Sequence, residues 1–214
     1  MYRPAAFRQD DLAALHQEIA ACGLATVVSQ GSAGLQASHL PLLLAPEEGE
    51  FGTLYGHFAR ANPHWQALTG ENQTLVICNG PDAYVTPAWY AGKAEHGKVV
   101  PTWNYIAVHA HGRAEVFDEP ERLLQLVSRL SERHEAGRAR PWSVSDAPRE
   151  YIDSMLRAIV GFALPIQRLE GQWKLSQNRS AADRASVHEG LQASAADRDR
   201  ALAARMGTTH SAGE

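Results

Sequence analysis

Behind the acidic pair Asp10-Asp11, apolar residues recur at helical spacing at Leu12, Leu15, Ile19 and Cys22, and Gly23 closes the run. The acidic pair supplies a cap, so the pattern predicts a first helix. The period then drops to two. Leu24 to Ser29 reads as a strand, Gln30 to Gly34 as a turn, and Leu35 to Leu44 as the returning strand of a hairpin. Pro41 falls inside that second strand and has no amide hydrogen for a ladder, so it belongs at an edge or a bulge. A third strand begins over Gly52 to Gly56, and Asn62-Pro63 is a cap followed by a proline at the first helical position. Gln73 to Asn79 and Tyr84 to Pro87 read as two short strands, and Ala91 to Gly97 as a polar loop. Val99 to Phe117 is one long strand or two joined at Gly112.

Asp118-Glu119-Pro120 opens a helix with the apolar stripe Leu123, Leu124, Val127 and Leu130, and a second helix over Glu150 to Ile159 follows Pro148. Gly161 to Arg168 and Gly171 to Ser176 read as two strands joined by a tight turn at Glu170-Gly171. Ser180 to Met206 is rich in alanine and charge and thin in apolar positions. An exposed helix is expected there, frayed from about Gly207. Strands cluster instead of alternating with helices, which disfavours a doubly wound parallel sheet and favours a small antiparallel barrel with helices around it.

Composition narrows the picture. A chain of 214 residues with 44% hydrophobic positions can bury a sizeable core without staples, which excludes a disulfide scaffold or low-complexity disorder. Lys plus Arg number 20 against 24 Asp plus Glu, a formal charge of -4, so there is no basic surplus of the kind that neutralises a phosphate backbone. The two cysteines, Cys22 and Cys78, occupy apolar settings and read as reduced, packed thiols. No signal core follows Met1-Tyr2-Arg3-Pro4 and no membrane span is visible, so the chain reads as soluble and cytoplasmic.

Four segments could carry chemistry. Arg60 to His64 joins a guanidinium to a helix start whose amides attract an anion, with His57 upstream; it also reads as a plain capped helix with a surface arginine. Lys174 to Ser180 brings basic, hydroxyl and amide groups to a second helix start, where Asn178 or Ser180 is the cap; ordinary capping is the alternative. Ser38-His39-Leu40-Pro41 could offer a ligand edge. Thr102-Trp103-Asn104 is polar and aromatic together, and His109 and His111 further along face one side of a regular strand, as packing residues or as ligands of a metal or haem iron. No Gly-x-Ser-x-Gly elbow, Walker loop, zinc ribbon or His-Glu-x-x-His motif occurs.

These segments resemble, in order and in one register, the PaiB-type FMN-binding negative transcriptional regulator family. The matching stretches include Met1-Tyr2-Arg3-Pro4, Ser38-His39-Leu40-Pro41, Gly56-His57, Ala59-Arg60-Ala61-Asn62-Pro63 and Tyr84-Val85-Thr86-Pro87. They continue through Val100 to Tyr105, Leu169-Glu170-Gly171 and Trp173-Lys174-Leu175-Ser176-Gln177-Asn178. The resemblance implies an α+β fold, a pyridoxamine-phosphate-oxidase-like FMN-binding split β-barrel over residues 1–191, with a charged helical tail over 192–214. It also implies a homodimer holding FMN in a cleft between subunits. His57, Arg60 and Asn62 match the segment that grips the phosphate, Ser38, His39, Leu40 and Pro41 a strand bordering the ring, and Thr102, Trp103 and Asn104 a strand lining the cleft. Lys174, Ser176, Gln177 and Asn178 match the family signature. The function implied is FMN-dependent negative regulation with DNA as a partner, which the charge does not support. The alternatives are a flavin-dependent oxidoreductase or flavin reductase acting on a small metabolite, and a haem-handling barrel using His109 and His111.

Overall fold

A computed structural model describes residues 1–32, 34–70 and 72–207. In chain order the elements are β1 (Arg8–Gln9), α1 (Leu12–Ala21), β2 (Ala25–Gly31), β3 (Gly34–Leu40), β4 (Leu43–Ala45) and β5 (Thr53–Ala59). Next come β6 (Thr74–Val85), α2 (Gly92–His96), β7 (Thr102–Gly112), β8 (Glu115–Phe117) and α3 (Pro120–Glu135). The last are α4 (Arg149–Arg157), β9 (Ile159–Lys174), α5 (Ala181–Gln192) and α6 (Asp197–Met206). The strands are hydrogen-bonded in the order β3-β2-β6-β7-β9-β5-β4, with β1 and β8 also paired to β9. This is the expected α+β class with a large antiparallel sheet. No helix among the described residues is long and apolar enough to cross a membrane.

The chain forms two compact units. One comprises Leu12–Cys78 and His109–Leu169, the other Met1–Asp11, Asn79–Val108 and Glu170 onward. In the larger unit β2 pairs with β3 from Ala25↔Leu40 to Gly31↔Gly34, and with β6 from Thr26↔Ile77 to Ser29↔Thr74. The strand expected over Leu35 to Leu44 is split into β3 and β4, with Pro41 in the break, where its missing N–H breaks no ladder. β9 lies between β5 and β8, so Phe162 faces Gly56 on one side and Val116 on the other. Phe58, Phe162, Leu54 and Leu164 are fully buried at the centre. Gly56 is required there, because a Cβ would sit 2.5 Å from the Leu42 side chain and 2.8 Å from the Phe162 ring. The stripe of α3 buries Leu123, Leu126 and Leu130 with Leu43, Phe117 and Leu156 in one cluster. Cys22 and Cys78 are free thiols, and the Cys78 thiol is pushed up first by its hydrogen bond with Cys22 and then by burial.

In the smaller unit β1 pairs with the end of β9 through Arg8↔Gln172 and Gln9↔Gly171. That pairing corrects the turn expected at Glu170-Gly171. β9 runs on as one strand because β1 supplies the ladder and the N-terminal amine meets the buried Glu170 carboxylate at 3.0 Å. The strands expected over Gln73 to Asn79 and Tyr84 to Pro87 are likewise one, β6, since Asn79-Gly80-Pro81-Asp82 stays extended and Ala83 and Val85 return to the core. The single exposed helix expected over Ser180 to Met206 is two, α5 and α6, with Val187, Leu191, Leu202, Ala203 and Met206 buried. The fraying expected from about Gly207 falls, past that residue, outside the described residues.

Candidate functional site

In the larger unit, Val27 of β2 stands opposite Ser38 of β3, so Ser29 and Ser38 are diagonal neighbours on one face of the hairpin. Asn62 caps the 3-10 helix Pro63–Leu68 by accepting from His64 N at 3.1 Å, as the Asn-Pro pair predicts. That cap sets His64, only 2% exposed, between the two serines: Ser38 Oγ is 2.8 Å from Nδ1 and Ser29 Oγ 2.8 Å from Nε2. Asn62 Nδ2 donates to Ser38 Oγ at 3.1 Å, and Phe58 packs against the imidazole with ring centroids 5.3 Å apart at 68°. Ser38 and Asn62 are thus joined through a histidine that the sequence did not single out. His39, on the opposite face, is exposed and bonds Thr26 Oγ1 at 3.1 Å, while Leu40 and Pro41 are half-buried.

Burial holds the His64 imidazole below its ordinary value of 6.5, so the ring is neutral near pH 7 and can donate to one serine and accept from the other. A histidine with a depressed folded-state value stabilises the fold fully above the unfolded value, and that stability is lost as pH falls through 6.5 toward the folded value. Thermal melts of the wild type should therefore decline between pH 7.5 and pH 5. His64→Gln should be less stable at pH 7.5 and show a shallower decline; an unchanged slope would contradict the assignment.

Arg60 has other partners. Its Nε donates to Arg157 O at 2.8 Å, Nη1 and Nη2 reach Asp118 Oδ2 at 3.3 Å, and Nη2 also donates to Ile159 O at 3.1 Å. The guanidinium thereby ties the end of α4 and the start of β9 to the residue after β8. His57 makes no hydrogen bond among the described residues at its buried Nδ1, and burial lowers its imidazole below the ordinary range.

In the smaller unit the candidates from β7 and the end of β9 converge. Lys174 Nζ donates to Thr102 Oγ1 and to the Trp103 carbonyl. Asn104, fully buried, donates to Ser176 Oγ at 2.9 Å. Ser176 has a φ of 65°, a left-handed conformation costly for a residue with a side chain, and the exchange with Asn104 holds it there. Gln177 closes the turn, accepting from Leu175 N at 2.7 Å and donating to Trp173 O at 2.6 Å. Asn178 is exposed, and Ser180 is the helix cap, accepting from Asp183 N. The turn also carries Arg179, whose guanidinium lies 4.8 Å over the Tyr90 ring. Burial, then the Arg179 charge, lowers the Lys174 ammonium below its ordinary value. Among the described residues neither cation has a carboxylate within ion-pair distance. The Tyr90 hydroxyl is buried without a hydrogen-bond partner among them. Beside Lys174, Trp103 and Tyr84 meet edge to face at 6.1 Å, both roughly half exposed.

Arg179, Tyr84 and Tyr90 were not among the predicted site residues, although all three lie in or next to the quoted motifs. His109 and His111 do share a face, as expected, with ring centroids 6.3 Å apart, and Arg168 Nη2 lies 3.1 Å from His111 Nδ1.

Comparison with known proteins agrees with these motifs. Residues 1–168 match the family model described as "Putative FMN-binding domain". The chain is 32% identical over 192 residues to the protease synthase and sporulation protein PAI 2 of Bacillus subtilis, covering 90% of this chain and 89% of that one. It is 36% identical over 199 residues to a protein of Aspergillus fumigatus, covering 74% of this chain and 76% of that one. Among solved structures, the FAD and heme binding protein of Mycobacterium smegmatis superposes with a TM-score of 0.60 at 16% identity, over 84% of this chain and 78% of that one, a likeness of fold.

Proposed function

The chain belongs to the FMN-binding domain family, and from that premise we propose that it binds FMN, with Lys174 and Arg179 meeting the phosphate and the Tyr84–Trp103 pair lying against the flavin ring. The observation that carries this reading is the pair of cations close enough to repel, with no carboxylate within ion-pair distance among the described residues. Such a pair repels itself until an anion arrives, and a phosphate dianion offers acceptors to both. Half-exposed aromatic rings beside them suit a planar guest. The Tyr90 hydroxyl under Arg179, buried without a hydrogen-bond partner among the described residues, is a further polar group of the kind a bound cofactor satisfies.

Ser38, His39, Leu40, Pro41, His57, Arg60 and Asn62 of the larger unit are tied to the cofactor by the resemblance alone, and FMN binding by Lys174 and Arg179 does not require them. A phosphate on Arg60 would have to displace the Asp118 carboxylate, whereas Lys174 holds only the Thr102 hydroxyl and a carbonyl and Arg179 lies over the Tyr90 ring, with no carboxylate to displace among the described residues. Bound flavin supplies electron and hydride transfer, and the chain's part is to bind and orient it. The reading extends to a cytoplasmic homodimer in which a second subunit completes the cleft, and to regulation of the kind the PaiB-type resemblance implies. A charge of -4 favours regulation that does not run through extensive phosphate contacts with DNA.

Titrating purified protein with FMN and following flavin fluorescence tests the proposal. Saturable binding of one FMN per chain is expected, with riboflavin, which lacks the phosphate, binding at least tenfold more weakly. Equal affinities, or no saturable binding of FMN, would overturn it.

A further inference from the structure

The larger unit contains a second candidate site, independent of the flavin reading. α4 is amphipathic: Arg149 and Asp153 pair at 2.9 Å at the edge of its polar face, and Tyr151, Ile152, Met155 and Leu156 recur at helical spacing along its apolar stripe. Leu156 enters the core cluster and Ile152 packs against it. Tyr151 and Met155 stay 57% and 45% exposed, and Trp142, in the loop after α3, is 48% exposed. Three large apolar side chains left in water at one place call for an explanation. They are not spread over a flat face. They rim a cavity of about 420 Å³ between α3 and α4, with His57 of β5 and Ile159 of β9 among its lining. A second space of about 270 Å³ shares His57, Val127, Ser131 and Trp142 with the first.

The chemistry of this cavity is specific. Among the described residues no Asp, Glu, Lys or Arg lines the larger space, so a charged guest would be stripped of water and left unpaired. His57 is its most polar feature and is neutral near pH 7, because burial lowers its value. The ring's Nδ1 is buried without a partner among the described residues, which leaves Nε2 as the nitrogen a guest can reach. A buried orphan N–H is rarer than a buried orphan acceptor, so the proton belongs on Nε2, where it can be donated. The mouth is pre-set: Trp142 N donates to Glu135 Oε2 at 3.1 Å, and Arg138 Nε holds the same carboxylate at 3.3 Å. A volume of this size suits a small molecule, and indole, phenol and thioether groups favour a flat ring.

We propose that the cavity rimmed by Trp142, Tyr151 and Met155 binds an uncharged planar aromatic molecule that presents one hydrogen-bonding group to His57. The guest is a substrate or effector distinct from a phosphorylated cofactor, which this lining would reject.

Calorimetric titration of the full chain with 2-naphthol, an uncharged bicyclic probe with one hydroxyl, tests this. One site per chain is expected, and the anion 2-naphthalenesulfonate should bind at least tenfold more weakly. His57→Phe keeps the ring shape and should weaken 2-naphthol about tenfold, the worth of one hydrogen bond. Ala147→Trp places bulk at the cavity from a half-buried loop position and should abolish binding, with circular dichroism melts confirming that both variants fold. Binding that survives Ala147→Trp, or equal affinity for the sulfonate, would overturn the proposal. Absence of saturable 2-naphthol binding would overturn it as well, and a dimer that Tyr151→Asp splits would then identify the patch as the place where two copies meet.

Discussion

Replacing Lys174 and Arg179 together by alanine is expected to weaken FMN binding at least a hundredfold while leaving riboflavin binding within about threefold. Hydrogen bonds to a charged group contribute about 1.5–3 kcal/mol each, so losing two amounts to about 3–6 kcal/mol, where 1.4 kcal/mol is tenfold in affinity. Riboflavin is the internal control. Lys174 also holds Thr102 and the Trp103 carbonyl, so its loss could disturb the wall that the ring lies against. A disturbed wall would lower both affinities together; a lost phosphate contact lowers only one. Fluorescence titration of both ligands against both proteins separates the cases. If FMN affinity in the double variant is unchanged, the phosphate lies elsewhere, and Arg60 becomes the residue to test.

The contrast between Arg60 and Arg179 shows where sequence reasoning reached and where it stopped. Asn62-Pro63 is a local signal, and the cap it predicts is present. The guanidinium two residues before that cap follows no local rule. Its carboxylate partner is Asp118, 58 residues away, and only the folded chain brings the two together. His64 was missed for the same reason, because Ser29 and Ser38 lie 35 and 26 residues from it and no spacing pattern marks them. Convergence of Lys174, Thr102, Asn104 and Ser176 was legible in part, since strand alternation pairs Lys174 with Ser176 on one face. That β7 would supply the partners was not. The fold shows the same division. Helix α3 was visible from its apolar stripe and α4 from the proline before it, whereas Glu170-Gly171 looked like a turn until β1 and the N-terminal amine supplied what keeps it extended. In α6 the charged positions outnumber the buried ones, and three small or apolar residues packed inward were enough to cover a face that composition marked as exposed.

The core beneath the histidine cluster gives the largest stability effect. Phe162 is fully buried, stands opposite Gly56 of β5, and packs at a tilt against Phe58 with ring centroids 5.4 Å apart, Phe58's own ring lying against His64. Phe162→Ala should cost about 3–5 kcal/mol, the usual range for a buried phenylalanine whose site cannot collapse. Collapse is hindered here because Phe162 sits on β9, hydrogen-bonded on both sides by β5 and β8. The expected result in urea is a lower midpoint with an unchanged slope, since the same surface is exposed on unfolding. A local consequence distinguishes this from a general loss. With Phe162 truncated, Phe58 loses the ring that backs it, and its edge no longer fixes the His64 imidazole between Ser29 and Ser38. The His64 titration, followed by its ring-proton NMR shift, should then move up toward the ordinary 6.5 as water enters. A destabilised variant with an unmoved His64 titration would show that the two serines alone hold the ring. A cost below about 1 kcal/mol would show that the strands relax into the space.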